Sequence, residues 1–322
     1  MNTQVLTPVT QAINDGVLTR RELKQLMTRS DRPALLRLVL WCLLVSLTAA
    51  GIWFSLGSWW LLPAMFIHGV VLVHHFSLQH ECCHYTAFRT RWLNDLVGNI
   101  CGLIIMLPNR FFRYEHCDHH TYTQLKGKDT ELIEMPQSWS EYFFYISSIP
   151  YWKAKLSELW RHARGQLTVE EKRFVPKPER ATVILEARCM VAFYTLVIVL
   201  SVVFQSAVAL WFWFLPVVLG EPVMRAIRMT EHVGRPMVSD MTTNTRSNQV
   251  SAPFRFLCWN MNYHAEHHYA SSVPFHALPE LNKKLAGYIH TEPGGYIGAH
   301  RDISRQLRTQ NINSGTSDEP GT

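Results

Sequence analysis

Long apolar blocks separated by polar, basic segments are the dominant pattern along this chain. Four blocks contain almost no charged residues, and each approaches the roughly 20 residues that a helix needs to cross a bilayer. The blocks form two pairs, and only a few residues separate the members of each pair. This pattern predicts an all-α integral membrane protein with four transmembrane helices in two hairpins. The predicted spans cover about residues 34–56, 59–79, 187–204 and 207–227.

Basic residues at the ends of the blocks predict the orientation. Arg and Lys are dense in residues 1–33, and Arg225 and Arg228 close the fourth block. Such residues concentrate on the cytoplasmic side of membrane spans. We therefore expect both termini to lie in the cytoplasm. We also expect the membrane to be a bacterial inner membrane. The formal charge of +6 has the same explanation, and nucleic-acid binding is not expected.

The same pattern divides the chain into three parts. Residues 1–33 form a cytoplasmic N-terminal segment, in which a helix is expected to start after Thr19. Residues 34–285 form the membrane domain. Residues 286–322 form a polar C-terminal tail, which we expect to be disordered after about Arg308.

The apolar stretch Leu93–Pro108 is too short for an ordinary span. Arg89 and Arg91 precede it, and Arg110 and Arg113 follow it, so both flanks are predicted to be cytoplasmic. We interpret this stretch as an interfacial or re-entrant helix.

Three histidine clusters carry the candidate chemistry. Residues three and four apart share one face of a helix, so each cluster directs several imidazoles the same way. Neutral imidazole is a good ligand for transition metals. Eight histidines exceed the four ligands that a zinc site usually takes, and they suffice for two metal ions. The clusters are His80-Glu81-Cys82-Cys83-His84, His116-Cys117-Asp118-His119-His120 and His264-Ala265-Glu266-His267-His268.

The two hairpins would bring all three clusters to one side of the membrane. His232 follows the fourth block at the same depth, and we predict it to be a ninth ligand. Acidic neighbours are expected to orient the imidazoles through hydrogen bonds, to ligate directly, or simply to be solvated. These neighbours are Glu81, Asp118, Glu231 and Glu266.

These clusters resemble the three histidine boxes of membrane fatty acid desaturases and related hydroxylases. The second cluster is followed by Asp129-Thr130-Glu131, and the third by Val273-Pro274-Phe275-His276-Ala277-Leu278-Pro279, as is frequent in that family. The resemblance covers roughly residues 34–285.

The resemblance implies a four-span helical fold with a cytosolic non-haem diiron centre. Members of the family use O2 to remove hydrogen from an unactivated C–H bond, with electrons from a separate ferredoxin, cytochrome b5 or reductase. The implied substrate is a lipid or acyl chain that enters from the membrane. Structurally known acyl-CoA desaturases have Asn-x-x-x-His at the ninth ligand, whereas Arg228 occupies the Asn position here. The implied iron ligands are His80, His84, His116, His119, His120, His232, His264, His267 and His268.

The expected activity is therefore desaturation of the acyl chain of a fatty acid or lipid. The ligand set does not distinguish this from a hydroxylase or oxygenase that acts on a hydrocarbon or carotenoid. His80-Glu81-x-x-His84 also fits the zinc-protease motif, with Glu81 as general base. That interpretation leaves the two later clusters without a function.

A metal transporter is a third alternative. It would need histidines within the spans, and only His68, His74 and His75 lie there. We expect these three to be packed or to support the metal site.

Overall fold

The computed structural model describes residues 8–315, so the ends of the predicted segments 1–33 and 286–322 lie outside the described residues. The structure is almost entirely helical, with one short parallel pair of strands, β1 (Ser247–Asn248) and β2 (Thr291–Glu292). A 3-10 turn (Lys177–Glu179) precedes the long helix that begins at Arg180, and a π-helical stretch (Leu210–Phe214) precedes the one that begins at Leu215. The helices are α1 (Pro8–Asn14), α2 (Arg20–Leu26), α3 (Asp31–Ser55), α4 (Leu61–Val73), α5 (His75–Cys83), α6 (Arg91–Ile105), α7 (Asn109–Tyr122), α8 (Trp139–Ile146), α9 (Ile149–Ala163), α10 (Glu171–Phe174), α11 (Arg180–Val203), α12 (Leu215–His232), α13 (Ala252–Leu257), α14 (His264–Tyr269), α15 (Leu278–Lys284) and α16 (Gly295–Gly315).

Four helical segments are long and apolar enough to cross a membrane, which confirms the predicted fold class. They are Asp31–Ser55, Leu61–Cys83, Lys177–Val203 and Leu210–His232. The third segment begins earlier than predicted because its polar first turns are also helical. In these turns the carboxylate of Glu186 accepts hydrogen bonds from the backbone N–H of Arg110 at 3.0 Å. The fourth segment continues to His232, so this histidine is the last residue of a long helix.

The second and fourth segments cross in direct backbone contact. A Cβ atom added to Gly69 of α4 would lie 1.9 Å from the carbonyl oxygen of Pro216, and one added to Gly220 of α12 would lie 2.3 Å from the backbone of Gly69. Small residues allow such close approach between membrane helices. The crossing therefore sets the relative positions of α5 and of the end of α12, which both carry candidate ligands.

The stretch Leu93–Pro108 contains most of helix α6, which begins at Arg91 and meets α7 at a bend of 97°. One face of α6 is buried, including Asn94 and Cys101, while Trp92 and Ile100 on the other face are exposed. Such a bent pair is either a broken span or a re-entrant element. The interfacial or re-entrant interpretation therefore stays a prediction.

Both ends of the described chain pack against the rest of the protein. Thr19 caps α2 in a reciprocal capping box with Glu22, as its position in the sequence predicted. At the other end, α16 continues well past Arg308 and buries Ala299, Ile303 and Leu307. The expectation of disorder after about Arg308 is therefore wrong as far as residue 315. Apolar residues at four-residue spacing give this otherwise polar tail a buried face.

Candidate metal centre

Each histidine cluster lies on or at the end of a helix, as its spacing predicted. His80 lies in the last turn of α5, and His84 caps that helix. His232 is the last residue of α12. The second cluster lies on α7 and the third forms most of α14. Four helices from distant parts of the chain therefore direct their imidazoles into one buried region.

The nine predicted histidines divide into two adjacent groups. The five-histidine group contains His80, His84, His116, His120 and His267. The four-histidine group contains His119, His232, His264 and His268. Within each group, one ring nitrogen from every residue lies within 4.8 Å of those of the others. The groups are neighbours, since the rings of His120 and His268 stack at 4.1 Å between centroids.

Helix geometry explains why neighbouring histidines separate. Successive residues of an α-helix point about 100° apart, so His119 points away from His120 while His116 and His120 share a face. On α14 the pair at four-residue spacing is His264 and His268, which joins the other group. Each of these helices thus contributes histidines to both groups.

The distances between ring nitrogens match those around a metal ion. Metal–imidazole bonds of about 2.0–2.1 Å at tetrahedral to octahedral angles place neighbouring ligand nitrogens roughly 2.8–3.4 Å apart. The Nε2 atom of His267 lies 3.2 Å from that of His84 and 3.1 Å from that of His120. In the other group, Nε2 of His264 lies 3.0 Å from that of His232 and 3.1 Å from that of His268. Both groups are therefore compatible with a bound metal ion.

Unsatisfied polar atoms support this conclusion. Neither ring nitrogen of the fully buried His80, nor Nε2 of His119, has a hydrogen-bond partner among the described residues. Leaving such a group unpaired in the interior costs about 1–3 kcal/mol. Metal ligation would satisfy one nitrogen on each of these two histidines.

Two carboxylates after the second cluster orient its histidines. Asp129 Oδ1 lies 2.7 Å from His119 Nδ1, and Glu131 Oε1 lies 2.7 Å from His116 Nδ1. A carboxylate that accepts from Nδ1–H leaves Nε2 unprotonated and directed at the group. The role of these residues was missed in the sequence, although the motif that contains them was noted.

None of the four acidic neighbours named from the sequence makes a hydrogen bond to a histidine of the site within the described residues. Glu81 accepts from Thr86 at 2.8 Å, and Glu266 accepts from Asn282 at 2.6 Å. Asp118 points away and pairs with Arg173 at 2.7 Å. Glu231 comes nearest, with Oε2 at 3.6 Å from His264 Nε2.

Arg228, at the position that the resemblance assigns to the Asn of acyl-CoA desaturases, joins two of the carboxylates. Its Nη2 lies 2.7 Å from Glu131 Oε2, and its Nη1 donates to Glu231. Arg228 is almost fully buried, so these carboxylates balance its charge. Arg228 therefore links Glu131, which orients His116 of the five-histidine group, to Glu231, which lies beside His264 of the four-histidine group.

Burial keeps most of these imidazoles neutral, which is the form that binds metals. It lowers the pKa of His84 to about 3, and it lowers the pKa of His267 and His268 well below the ordinary value of 6.5. His119 is the exception. Burial opposes protonation there, but the nearby carboxylates of Glu131 and Asp129 raise its pKa overall.

The histidines within the second span do not join either group. Trp41 Nε1 donates to His75 at 3.1 Å, and the hydroxyl of Thr48 lies 2.7 Å from His68 Nδ1. His74 Nδ1 lies 2.6 Å from the carbonyl oxygen of Val70. These contacts agree with the expectation that the three side chains are packed.

The chain is similar in sequence to membrane desaturases, in agreement with its histidine-rich site. The chain is 25% identical over 285 residues to the sn-1 oleoyl-lipid 12-desaturase of Anabaena variabilis, a match that covers 77% of each chain. It is 25% identical over 281 residues to the sphingolipid delta(4)-desaturase DES1 of Homo sapiens, covering 84% of this chain and 80% of that protein. It is 22% identical over 272 residues to the chloroplastic omega-6 fatty acid desaturase of Spinacia oleracea, covering 79% and 59%.

The family model for fatty acid desaturases matches residues 57–298, a region that contains all nine histidines. The match spans most of the chain and includes both spans that carry histidines of the two groups, α4–α5 and α12. This multi-pass membrane protein is therefore an oxidoreductase of the fatty acid desaturase family.

Proposed function

We propose that the nine histidines hold two iron ions, one in the five-histidine group and one in the four-histidine group. The observation that carries the proposal is this division into two adjacent groups with ligand-like spacing between nitrogens. Histidine suits iron as well as zinc, and the family favours iron. A zinc protease is not supported, because His80 and His84 share their group with three further histidines.

Two iron ions would supply the activation of O2 and the removal of hydrogen from an unactivated C–H bond, which side chains do not perform unaided. The protein's own residues prepare the site. Asp129 and Glu131 hold the tautomers of His119 and His116. The rings of Phe76 and Phe112 pack beside His80 and His116 and give that side of the group an apolar wall.

The proposed reaction is O2-dependent desaturation of the acyl chain of a fatty acid or lipid. The relatives support it, since their names describe desaturation of an oleoyl lipid, a fatty acid and a sphingolipid. Hydroxylation of a hydrocarbon or carotenoid substrate is the alternative outcome of the experiment below.

The test is expression of the full chain with a ferredoxin and its reductase, or with cytochrome b5 and its reductase, followed by mass spectrometry of the lipids. Loss of two hydrogens from an acyl chain, dependent on O2, is the expected result. Gain of one oxygen would instead identify a hydroxylase. Metal analysis should give about two irons per chain, and capacity for a single metal ion only would contradict the proposed site.

We further propose that the histidines and both termini face the cytoplasm, where a soluble or membrane-bound electron carrier can reach them. The basic residues around the spans support this orientation. Single cysteines replacing Arg89 and Lys126, both exposed, should react with an impermeant reagent from the cytoplasmic side. A cysteine replacing Ser58, in the turn between α3 and α4, should react from the other side. Opposite labelling of positions 89 and 126 would rule out this topology.

A further inference from the structure

The chain leaves α5 in an uncommon backbone conformation directly after one histidine of the site. His84 caps α5, and Tyr85, the next residue, has a φ of +57°. A bulky residue rarely adopts this left-handed conformation, which persists only where the surrounding structure holds it. The contacts that hold this segment therefore also bear on the position of His84.

Arg113 of α7 makes these contacts. Its Nε donates to the carbonyl oxygen of Cys83 at 3.1 Å, and its Nη1 donates to the hydroxyl of Tyr85. The guanidinium also lies 3.9 Å from the centre of the Tyr85 ring. The carbonyl of Cys83 belongs to the same planar peptide unit as the N–H of His84. Arg113 therefore holds the chain on both sides of His84.

Asp95 of α6 keeps the guanidinium in place. Its Oδ1 lies 3.0 Å from Arg113 Nη2 and accepts a hydrogen bond from the Tyr85 hydroxyl at 3.2 Å. Each of the three guanidinium nitrogens thus has a partner, and only 7% of Arg113 is exposed. Arginine offers a planar fork of donors, which the flexible ammonium of lysine does not. The contacts therefore depend on the shape of the guanidinium and not only on its charge.

His84 lacks the support that two other histidines of the site have. Glu131 and Asp129 orient His116 and His119 through Nδ1. Within residues 8–315, no hydrogen bond to Nδ1 of His84 is present; its Nε2 points toward the other histidines. His84 is also half-exposed, so packing restrains its ring on only part of its surface. The position of His84 therefore depends on how its backbone is held.

Arg113 lies on the helix that carries other members of the five-histidine group. It precedes His116 by three residues, so the two share a face of α7. The ring of His84 lies 5.0 Å from that of His116 and 4.7 Å from that of His120, measured between centroids. Arg113 thus connects the end of α5 to α7 at the point where their histidines meet.

We propose that Arg113 is a positioning residue for the five-histidine group, and that it sets His84 relative to His116 and His120 by holding the backbone around His84. The inference rests on the proposed function, because it requires a metal ion in this group. Arg113→Lys keeps the charge but loses the planar fork of donors. We expect it to lower the iron affinity of the five-histidine group about 10–100-fold and to leave the four-histidine group unchanged.

The experiment uses the full chain, loaded with iron in detergent. The loaded protein is dialysed against buffers of decreasing free Fe²⁺ set by a chelator, the iron retained per chain is measured, and Mössbauer spectra distinguish the two iron sites. In Arg113→Lys we expect one iron to be lost at a free Fe²⁺ concentration about 10–100-fold higher than in the unmodified chain. Only the signal of that iron should change, and it should be the signal that His84→Ala removes.

Arg188→Lys is the matched control. Arg188 Nε donates to the carbonyl oxygen of Ala163, the last residue of α9, at 2.9 Å, so it makes the same kind of contact with the end of a helix. Neither α9 nor α11, which carries Arg188, contains a histidine of either group. This variant should retain both irons with unchanged spectra.

Two outcomes would overturn the inference. Unchanged retention of both irons in Arg113→Lys would show that Arg113 does not position the site, and equal weakening of both would show a general effect on the fold. If that variant does not accumulate, Tyr85→Phe removes the contact with Nη1 and should weaken the same iron, and unchanged retention there would count equally against the inference. An unmodified chain that holds a single iron would instead contradict the proposed function.

Discussion

The crossing of α4 and α12 gives the sharpest test of how the fold builds the metal centre. In Gly69→Ala the new methyl group would lie 1.9 Å from the carbonyl oxygen of Pro216, whereas real contacts of this kind are essentially never below 3.0 Å. The two helices would have to separate by at least 1.1 Å, the difference between these distances. Backbone atoms on both sides leave no flexible side chain to absorb the shift.

The displacement reaches the candidate ligands through helical segments, because α5 follows α4 after the single residue His74 and His232 ends α12. Gly69 lies 11 residues before His80, and Gly220 lies 12 residues before His232, or about 16–18 Å of helical path in each case. Separation at the crossing would therefore move a ligand of the five-histidine group relative to a ligand of the four-histidine group. Metal sites tolerate deviations of about 0.2 Å, and a misplacement of about 1 Å costs roughly 100-fold in rate.

We therefore expect Gly69→Ala to bind less than two irons per chain and to lose about 100-fold in oxidation rate. Gly51→Ala is the matched control, because Gly51 lies in span α3 and a Cβ there would meet nothing within 4 Å. The assay is metal analysis and lipid mass spectrometry on detergent-solubilised protein that elutes as a single species. If Gly69→Ala matched Gly51→Ala in both measurements, the crossing would not position the site.

Three further predictions concern the site itself. His232→Ala should abolish oxidation and remove iron from the four-histidine group. His276→Ala is the control, because His276 lies outside both groups, and it should keep substantial activity. Two bound irons and near-normal turnover in His232→Ala would show that His232 is not a ligand. Asp129→Asn should lower iron affinity about 10–100-fold by loosening His119. Asp240→Asn alters only an exposed turn and should leave iron affinity unchanged. Equal iron affinities of the two variants in metal titrations would contradict the role of Asp129 in orienting His119. Finally, burial lowers the pKa of His84 to about 3, and several other histidines of the site shift in the same direction. At a pH between the ordinary pKa of 6.5 and these lowered pKa values, the unfolded chain binds more protons than the folded one. The metal-free protein should therefore unfold more easily as the pH falls from about 7 to 5, and a constant or rising melting temperature over that range would refute this.

Local patterns were enough to predict much of this protein. Apolar block length determined the four spans, and the capping box at Thr19 determined the start of α2, because these features depend on neighbours in the chain. The helix α16 was missed because its buried face consists of a few apolar residues, such as Ala299 and Ile303, in an otherwise polar segment. Whether such a weak stripe becomes ordered depends on the surface that it packs against.

The candidate ligands were also local, since spacing of three and four residues is enough to align imidazoles on a helix. Tertiary structure alone decided how the histidines divide between the two groups. His119 and His120 belong to different groups although they are neighbours in sequence. It also selected Asp129 and Glu131 over the acidic residues next to the histidines, and placed Arg228 between two carboxylates. The physical reason is that hydrogen bonds and metal geometry depend on distances between separate helices. Those distances are set by packing, above all where Gly69 and Gly220 let two spans touch.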